Sequence, residues 1–205
     1  MEPIDKYDQI SMSATATVEF DYVSDHLSDS TTGDIYLSSP CGTGKSHWTA
    51  GMLKQELTAD PTLKVLAISG RKSLSAQMSR TLGLKLYSDI AGEINTEKYP
   101  RVVIRLECLD RIPADSTFNI IVLDEVSMSI SHGLNSTGRR ATDGFNLMEG
   151  LIKSCDRLIT LDADLNEAHI DALKSIRDGN QSQTVVNSRK KWTGCTGKLN
   201  LGPAS

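Results

Sequence analysis

Ser39-Pro40-Cys41-Gly42-Thr43-Gly44-Lys45-Ser46 decides how this chain is read. The apolar run Ile35-Tyr36-Leu37 precedes it, and a helical pattern from His47 to Leu57 follows it. A phosphate-binding P-loop sits in just such a strand, glycine loop and helix. Gly42 and Gly44 let the backbone turn tightly, so that its N–H groups point inward and join the helix N-terminus as an anion site. The stretch Pro40, Cys41, Gly42, Thr43, Gly44, Lys45, Ser46 and His47 is thus the expected phosphate cradle. Lys45 is expected to reach the β- and γ-phosphates, and the Ser46 hydroxyl to hold Mg2+. The common pattern is G-x-x-x-x-G-K-[ST], and Ser39 occupies the place of its first glycine. The competing reading is a chance glycine turn before a helix. The flanking elements and an acidic partner downstream oppose it.

That partner is Asp124-Glu125, at the end of Ile120-Ile121-Val122-Leu123, the most apolar run in the chain. Such a run suits a strand buried on both faces. An Asp there can hold Mg2+, and the following Glu can orient or deprotonate the attacking water. Lys45, Asp124 and Glu125 are therefore the expected catalytic residues, with Ser46 and Asp124 on the metal. The plainer alternative is an acidic pair favoured by a helix N-terminus. Asp162-Ala163-Asp164 closes the next apolar run, Arg157 to Leu161. Asp162 there suits either a sensor of the γ-phosphate or a cap for the helix from Leu165 to Ile176.

Strands are expected at 34–38, 64–68, 101–106, 119–123, 157–161 and 183–187, and helices at 45–57, 72–82, 126–133, 143–154 and 166–177. Val18 to Val23 alternates and reads as a further short strand. Phe20 or Tyr22 on it is placed either to stack on a nucleobase or to pack at the domain edge. Strands alternating with helices imply an α/β fold with a mostly parallel sheet, whose ligands bind at the carboxyl ends of its strands. The division expected is a polar extension over 1–30, a P-loop NTPase lobe over 31–178, and a strand and tail over 179–205.

The 205 residues carry a net charge of −4 and are 39% hydrophobic. An overall basic surface is therefore not what would bring this chain to nucleic acid; local groups would have to. Ser69-Gly70-Arg71-Lys72-Ser73 offers N–H groups, a hydroxyl and two cations at a helix start, which suits a nucleic-acid phosphate or a solvated cap. Arg105 to Arg111 could continue that track. Cys41, Cys108, Cys155 and Cys195 are widely spaced, which suggests neither a zinc site nor a disulfide framework. No signal peptide and no run long enough to span a membrane are visible, so a soluble intracellular protein is expected. Arg189-Lys190-Lys191 reads as a solvated basic tail. Gly194-Cys195-Thr196-Gly197-Lys198 looks like a P-loop fragment, but Leu199 stands where Ser or Thr is needed.

Together these blocks resemble the first RecA-like lobe of superfamily 2 helicases, and more narrowly the herpesvirus-type replication origin-binding protein family. Ser39 to Ser46 looks like that family's motif I, whose first position is often not Gly. Val65 to Leu74 looks like its motif Ia, and Val102 to Arg111 resembles its strand ending in Glu-Ser-Leu-x-Arg. Ile121 to Val126 and Leu161 to Asn166 resemble motifs II and III. The resemblance covers roughly residues 31 to 175. It implies a RecA-like three-layer sandwich that binds ATP and Mg2+ and meets single-stranded or origin DNA through Ser69, Arg71, Cys108 and Leu109. It also implies that Asp162 and Asp164 couple the two sites, and that the protein acts in the nucleus. Two departures stand out. Asp164 replaces the motif III Thr, putting a carboxylate where DNA phosphate is expected, and Ser127 stands where relatives often carry Glu. A second RecA-like lobe, which supplies arginine fingers, does not fit in this length. The expectation is slow or absent hydrolysis unless another chain completes the site. A non-catalytic ATP- and DNA-binding regulator, or a remnant that pairs with a full-length helicase, is the alternative. A small-molecule P-loop kinase, with Arg139-Arg140 as its lid, is a more distant one.

Overall fold

The computed structural model describes residues 15–125, 127, 139–178 and 180–189. Its strands are β1 (Thr15–Val18), β2 (Asp34–Ser38), β3 (Val65–Ser69), β4 (Lys85–Leu86), β5 (Arg101–Arg105), β6 (Ile120–Asp124), β7 (Arg157–Asp162) and β8 (Ser182–Asn187). The helices are α1 (Lys45–Ala59), α2 (Lys72–Leu82), α3 (Arg139–Ser154) and α4 (Glu167–Ile176). The eight strands form one sheet in the order β1-β8-β2-β7-β6-β3-β5-β4, and every pairing is parallel.

Side chains of a strand alternate between its faces, and two hydrophobic layers follow. Ile35, Leu37, Val65, Ala67, Val122 and Ile159 pack with Trp48, Met52 and Leu53 of α1 and Met78 of α2. Tyr36, Leu66, Ile68, Ile121, Leu123 and Leu158 pack on the other face with Met148, Leu151 and Ile152 of α3 and Ile170 and Leu173 of α4. Helices on both faces make a three-layer sandwich, and β2, β3, β6 and β7 are buried along their whole length. The continuous apolar runs exist because neither face of these strands meets water.

A charged pair is locked inside. Arg177 and Asp34 are 2% and 1% exposed and pair at 2.7 Å. Arg177 also donates to the carbonyls of Ile152 and Cys155, while Asp34 accepts from the Leu158 amide at 2.8 Å. The pair ties the C-terminal ends of α3 and α4 to the start of β2. Breaking a buried pair of this kind leaves an uncompensated charge and typically costs about 3–5 kcal/mol.

The strands and helices expected from 34 to 82 and from 101 to 187 are present, with ends shifted by a few residues, except the helix at 126–133. That helix, Lys190-Lys191 and the fragment at 194–198 lie outside the described residues, apart from Ser127. The strand expected at 18–23 is corrected. Strand β1 ends at Val18, and Val23–Asp25 forms a 3-10 turn, which the Asp25 carboxylate closes by accepting from the Tyr22 amide at 3.0 Å. Alternation in that stretch reflects a turn that buries Val23 and Leu27 against the sheet. The sheet also runs past the boundaries expected at 30 and 178, because β8 pairs with both β1 and β2. Among the described residues no helix is long and apolar enough to cross a membrane.

Candidate nucleotide site

Register brings the site together. Ser38 of β2 lies opposite Asp162 of β7, and Ser69 of β3 opposite Asp124 of β6. The polar ends of these strands therefore line one carboxyl edge, where the loop after β2 begins. Gly42 and Gly44 have φ of 84° and 77°, which L side chains rarely adopt, so the tight turn depends on glycine at both places. Nothing lies within 4 Å of a Cβ built on Gly42, so it is the backbone conformation rather than crowding that calls for glycine there. Lys45 opens α1, and its ammonium donates to the Ser39 carbonyl at 2.6 Å and to the Pro40 carbonyl at 3.0 Å. Burial lowers the Lys45 pKa, opposed by the charges of Cys41, Asp124, Asp162 and Asp164.

Around this loop lies a cavity of about 510 Å³, lined among others by Lys45, Ser46, Asp124, Glu125, Arg71 and Asp164. Asp124 is 8% exposed. Burial pushes its carboxyl up to about 6, with Lys45 pulling it down and Glu125 pushing it further up. Glu125 has φ of 56°, a left-handed conformation for a residue with a side chain. Its amide is held twice, donating to the Leu161 carbonyl at 3.0 Å and to Asp124 Oδ1 at 3.1 Å. Strained backbone of this sort is retained where surrounding bonds over-determine it. Glu125 Oε2 is shut off from water with no hydrogen bond, and the Arg71 guanidinium lies 3.3 Å away.

These features fit a phosphate-bound divalent cation. A buried carboxylate with a raised pKa and a lysine parked on two carbonyls are groups that an incoming ion and polyphosphate would satisfy. Ser46 and Asp124 could hold Mg2+, and Lys45 with the loop amides could hold phosphate. Among the remaining cradle residues, Cys41, Gly42, Gly44 and His47 line the cavity, whereas the buried Thr43 hydroxyl donates to the Pro40 carbonyl at 2.8 Å and holds the loop's shape.

The whole stretch from residue 15 to residue 191 matches the model of a family described as the origin of replication binding protein. The chain belongs to this family. Similar relatives include the replication origin-binding protein of Varicella-zoster virus (strain Dumas), 27% identical over 154 residues, which are 72% of this chain and 18% of the relative. That of Equine herpesvirus 1 (strain Ab4p) is 26% identical over 159 residues, covering 73% of this chain and 18% of the relative. The chain thus spans under a fifth of the length of these relatives. Among solved structures, the Sulfolobus solfataricus SWI2/SNF2 ATPase core in complex with dsDNA matches with TM-score 0.54 at 19% identity, over 70% of this chain and 30% of that one. S. cerevisiae Dbp5 bound to RNA and ADP BeF3 matches with TM-score 0.52 at 15% identity, over 76% and 42%. The fold is that of the RecA-like P-loop NTPase lobes in these structures.

Within this lobe, the residues expected on a nucleic-acid track divide. Ser69 is fully buried, and its hydroxyl lies 2.6 Å from that of Ser75, where it fastens α2 to β3. Leu109 is also fully buried and belongs to the core beneath α3. Both side chains point inward, one from a strand end and the other from a 3-10 turn. Cys108 is half-buried beside Leu109, and Arg71 is exposed but stands at the rim of the nucleotide cavity. The motif III aspartates also part. Asp162 accepts from the Ser127 amide at 2.7 Å and from the Asp164 amide at 2.9 Å. Burial raises its pKa, but the hydrogen bonds from Asp164, Ser127 and Ala163 outweigh this and hold it below the usual carboxylate range. It splices the loop after β7 to the segment after β6. It is not the cap of α4: Asn166 is, accepting from the His169 amide at 3.0 Å. Asp164 lines the cavity itself. Arg139 and Arg140 begin the helix α3.

Sequence reasoning left Phe20 and Tyr22 open together. Phe20 stacks on His26 with ring centroids 5.5 Å apart, and it packs against the core. Tyr22 is 58% exposed, and its Cδ1 lies 3.7 Å from the position of a Cβ on Gly44. The aromatic ring beside the P-loop is therefore Tyr22. The signal in sequence was its place just upstream of the loop.

Proposed function

We propose that this chain is the Mg·ATP-binding lobe of an origin-binding-type helicase. The observation that carries the reading is the convergence of Lys45, Ser46, Asp124 and Glu125 on one cavity at the carboxyl edge of the sheet. Lys45 exchanges its carbonyl partners for the β- and γ-phosphate oxygens. Ser46 and Asp124 hold Mg2+, which when bound neutralises charge on the phosphate oxygens. Glu125 orients or deprotonates the attacking water. Tyr22 offers its face to the base. Single-stranded or origin DNA meets the rim at Arg71, with Cys108 farther along. The names of the relatives and the DNA- and RNA-bound neighbours support that part of the reading.

Turnover by this lobe alone is slow, because an arginine finger from a second lobe is worth about 10³–10⁵ in rate. A second RecA-like lobe, in cis or in trans, is the implied partner, and an intracellular site of action, nuclear as the family resemblance implies, belongs to the same proposal. One observation favours a non-catalytic reading. Asp164, a carboxylate where the family's motif III carries Thr, lines the cavity and would weaken coupling of ATP to DNA, as suits a regulator or remnant that pairs with a full-length helicase. Equilibrium binding of fluorescent ATP to the chain and to Lys45→Ala, with and without Mg2+, tests the proposal. Binding that needs both supports it, and binding indifferent to Lys45 refutes it.

A further inference from the structure

Ser39, which stands where the loop pattern has glycine, takes no part in the phosphate chemistry above. It is 1% exposed, and its hydroxyl lies 2.7 Å from Thr43 Oγ1 and 3.1 Å from the side-chain amide nitrogen of Asn187. The direction of each bond follows from counting protons. Thr43 has one hydroxyl hydrogen, and it goes to the Pro40 carbonyl at 2.8 Å, which can only accept. Ser39 must then donate to Thr43, and so it must accept from Asn187. The second amide hydrogen of Asn187 goes to the Phe20 carbonyl at 3.0 Å, and Asn187 Oδ1 accepts from the Arg189 amide at 3.0 Å and the Phe20 amide at 3.4 Å. No other assignment satisfies all the partners, and Asn187 and Thr43 are 7% and 3% exposed.

A polarised chain therefore runs from the last residue of β8 into the turn of the P-loop. Its far end meets the loop at the working point. Lys45 donates to the carbonyls of Ser39 and Pro40, the two residues the chain grips. The Thr43 carbonyl in turn accepts from the Val23 amide at 2.9 Å. At its near end, Asn187 clasps both the segment entering at Phe20 and the segment leaving at Arg189, which is tied to Asp21 at 2.5 Å. When Lys45 leaves the two carbonyls for phosphate, the Thr43 hydroxyl at the end of this chain still holds the Pro40 carbonyl, and Asn187 still holds the Ser39 hydroxyl.

We propose that Asn187 is a positioning residue for the P-loop, and that the hydrogen-bonded chain Asn187–Ser39–Thr43 transmits nucleotide occupancy to the backbone at Phe20 and Arg189. This rests on the nucleotide reading above. Backbone hydrogen exchange at Phe20 and Arg189 tests it, measured with and without saturating Mg·ATP on the full chain and on Ser39→Gly, Asn187→Ala and the double variant. In the unaltered chain, nucleotide is expected to change exchange at both amides by at least about threefold. Each single variant is expected to lose that response and to raise Kd about fivefold, the worth of one hydrogen bond. The double variant is expected to raise Kd no further, because both substitutions cut one chain. A response that survives in Ser39→Gly, or increments that multiply in the double variant, overturns the relay while leaving the nucleotide site standing. No binding of Mg·ATP by the unaltered chain overturns the nucleotide reading, and the relay with it. Should Asn187→Ala fail to fold, Ser39→Gly decides alone, since glycine is what the loop pattern carries there.

Discussion

The carboxyl edge of the sheet has two halves, and they differ in what they present. On the β2, β6 and β7 side, Lys45, Asp124, Glu125 and Asp164 turn their polar groups into one cavity. On the β3 and β5 side, the side chains of Ser69 and Leu109 are buried in the core. The two halves use the same strand geometry, and their motifs looked equally functional as strings. The difference lies in what each motif does. A P-loop works through backbone amides and a helix start, so its function follows from glycine spacing. A nucleic-acid track works through exposed side chains, and exposure depends on packing that no short motif states.

The largest effect that would break this comparison is on turnover. Glu125→Gln is expected to lower single-turnover hydrolysis about 10²-fold or more, since it removes the group that handles the water. Nucleotide binding should persist, as read by fluorescence. If turnover is present and unchanged, Glu125 is not the group that handles the water.

A second effect sharpens the role of Asp124. Its carboxyl sits at about 6 in the fold against 3.8 in the unfolded chain. Its contribution to stability is thus fully present below about pH 4 and is lost as pH rises through 6. The ionised form is the one that binds a cation, so Mg2+ should offset that loss. Melting temperature with and without Mg2+ should differ little at pH 5 and clearly at pH 7.5. Mg2+ affinity should fall about tenfold per pH unit below 6. A stabilisation by Mg2+ that is equal at both pH values, and absent from no variant of Asp124, would move the ion elsewhere.

The smallest effects separate the two halves directly. Arg71→Ala is expected to weaken binding of single-stranded DNA about threefold to tenfold at low salt, as loss of one phosphate contact does. Ser69→Ala should leave DNA binding alone and lower stability by about 1 kcal/mol, through its hydrogen bond to Ser75. Equal loss of DNA affinity in both variants would restore Ser69 to the track.

Much of the fold was legible for a physical reason. Ile120 to Leu123 and Leu158 to Leu161 are apolar on both faces because helices cover both faces, and a doubly covered parallel sheet has few alternatives. The short β4 gave no signal, because two residues, Lys85 and Leu86, have no periodicity to detect. Strand β1 was misread because Val18 to Val23 alternates through a turn. The polar interior was not legible at all. Asp34 and Arg177, or Ser39 and Asn187, are joined only by folding, and each of these residues alone reads as an ordinary surface residue. Asp162 was half legible: its place at a strand end was evident, but its commitment to Ser127 and Asp164 was not.

Hydrolysis of Mg·ATP by the purified chain and by Lys45→Ala, with bound nucleotide followed in the same samples and single-stranded DNA present or absent, tests the central claim most directly. The account predicts binding that requires Lys45 and slow turnover that also requires it. Binding that survives Lys45→Ala, or no binding by either chain, would contradict it.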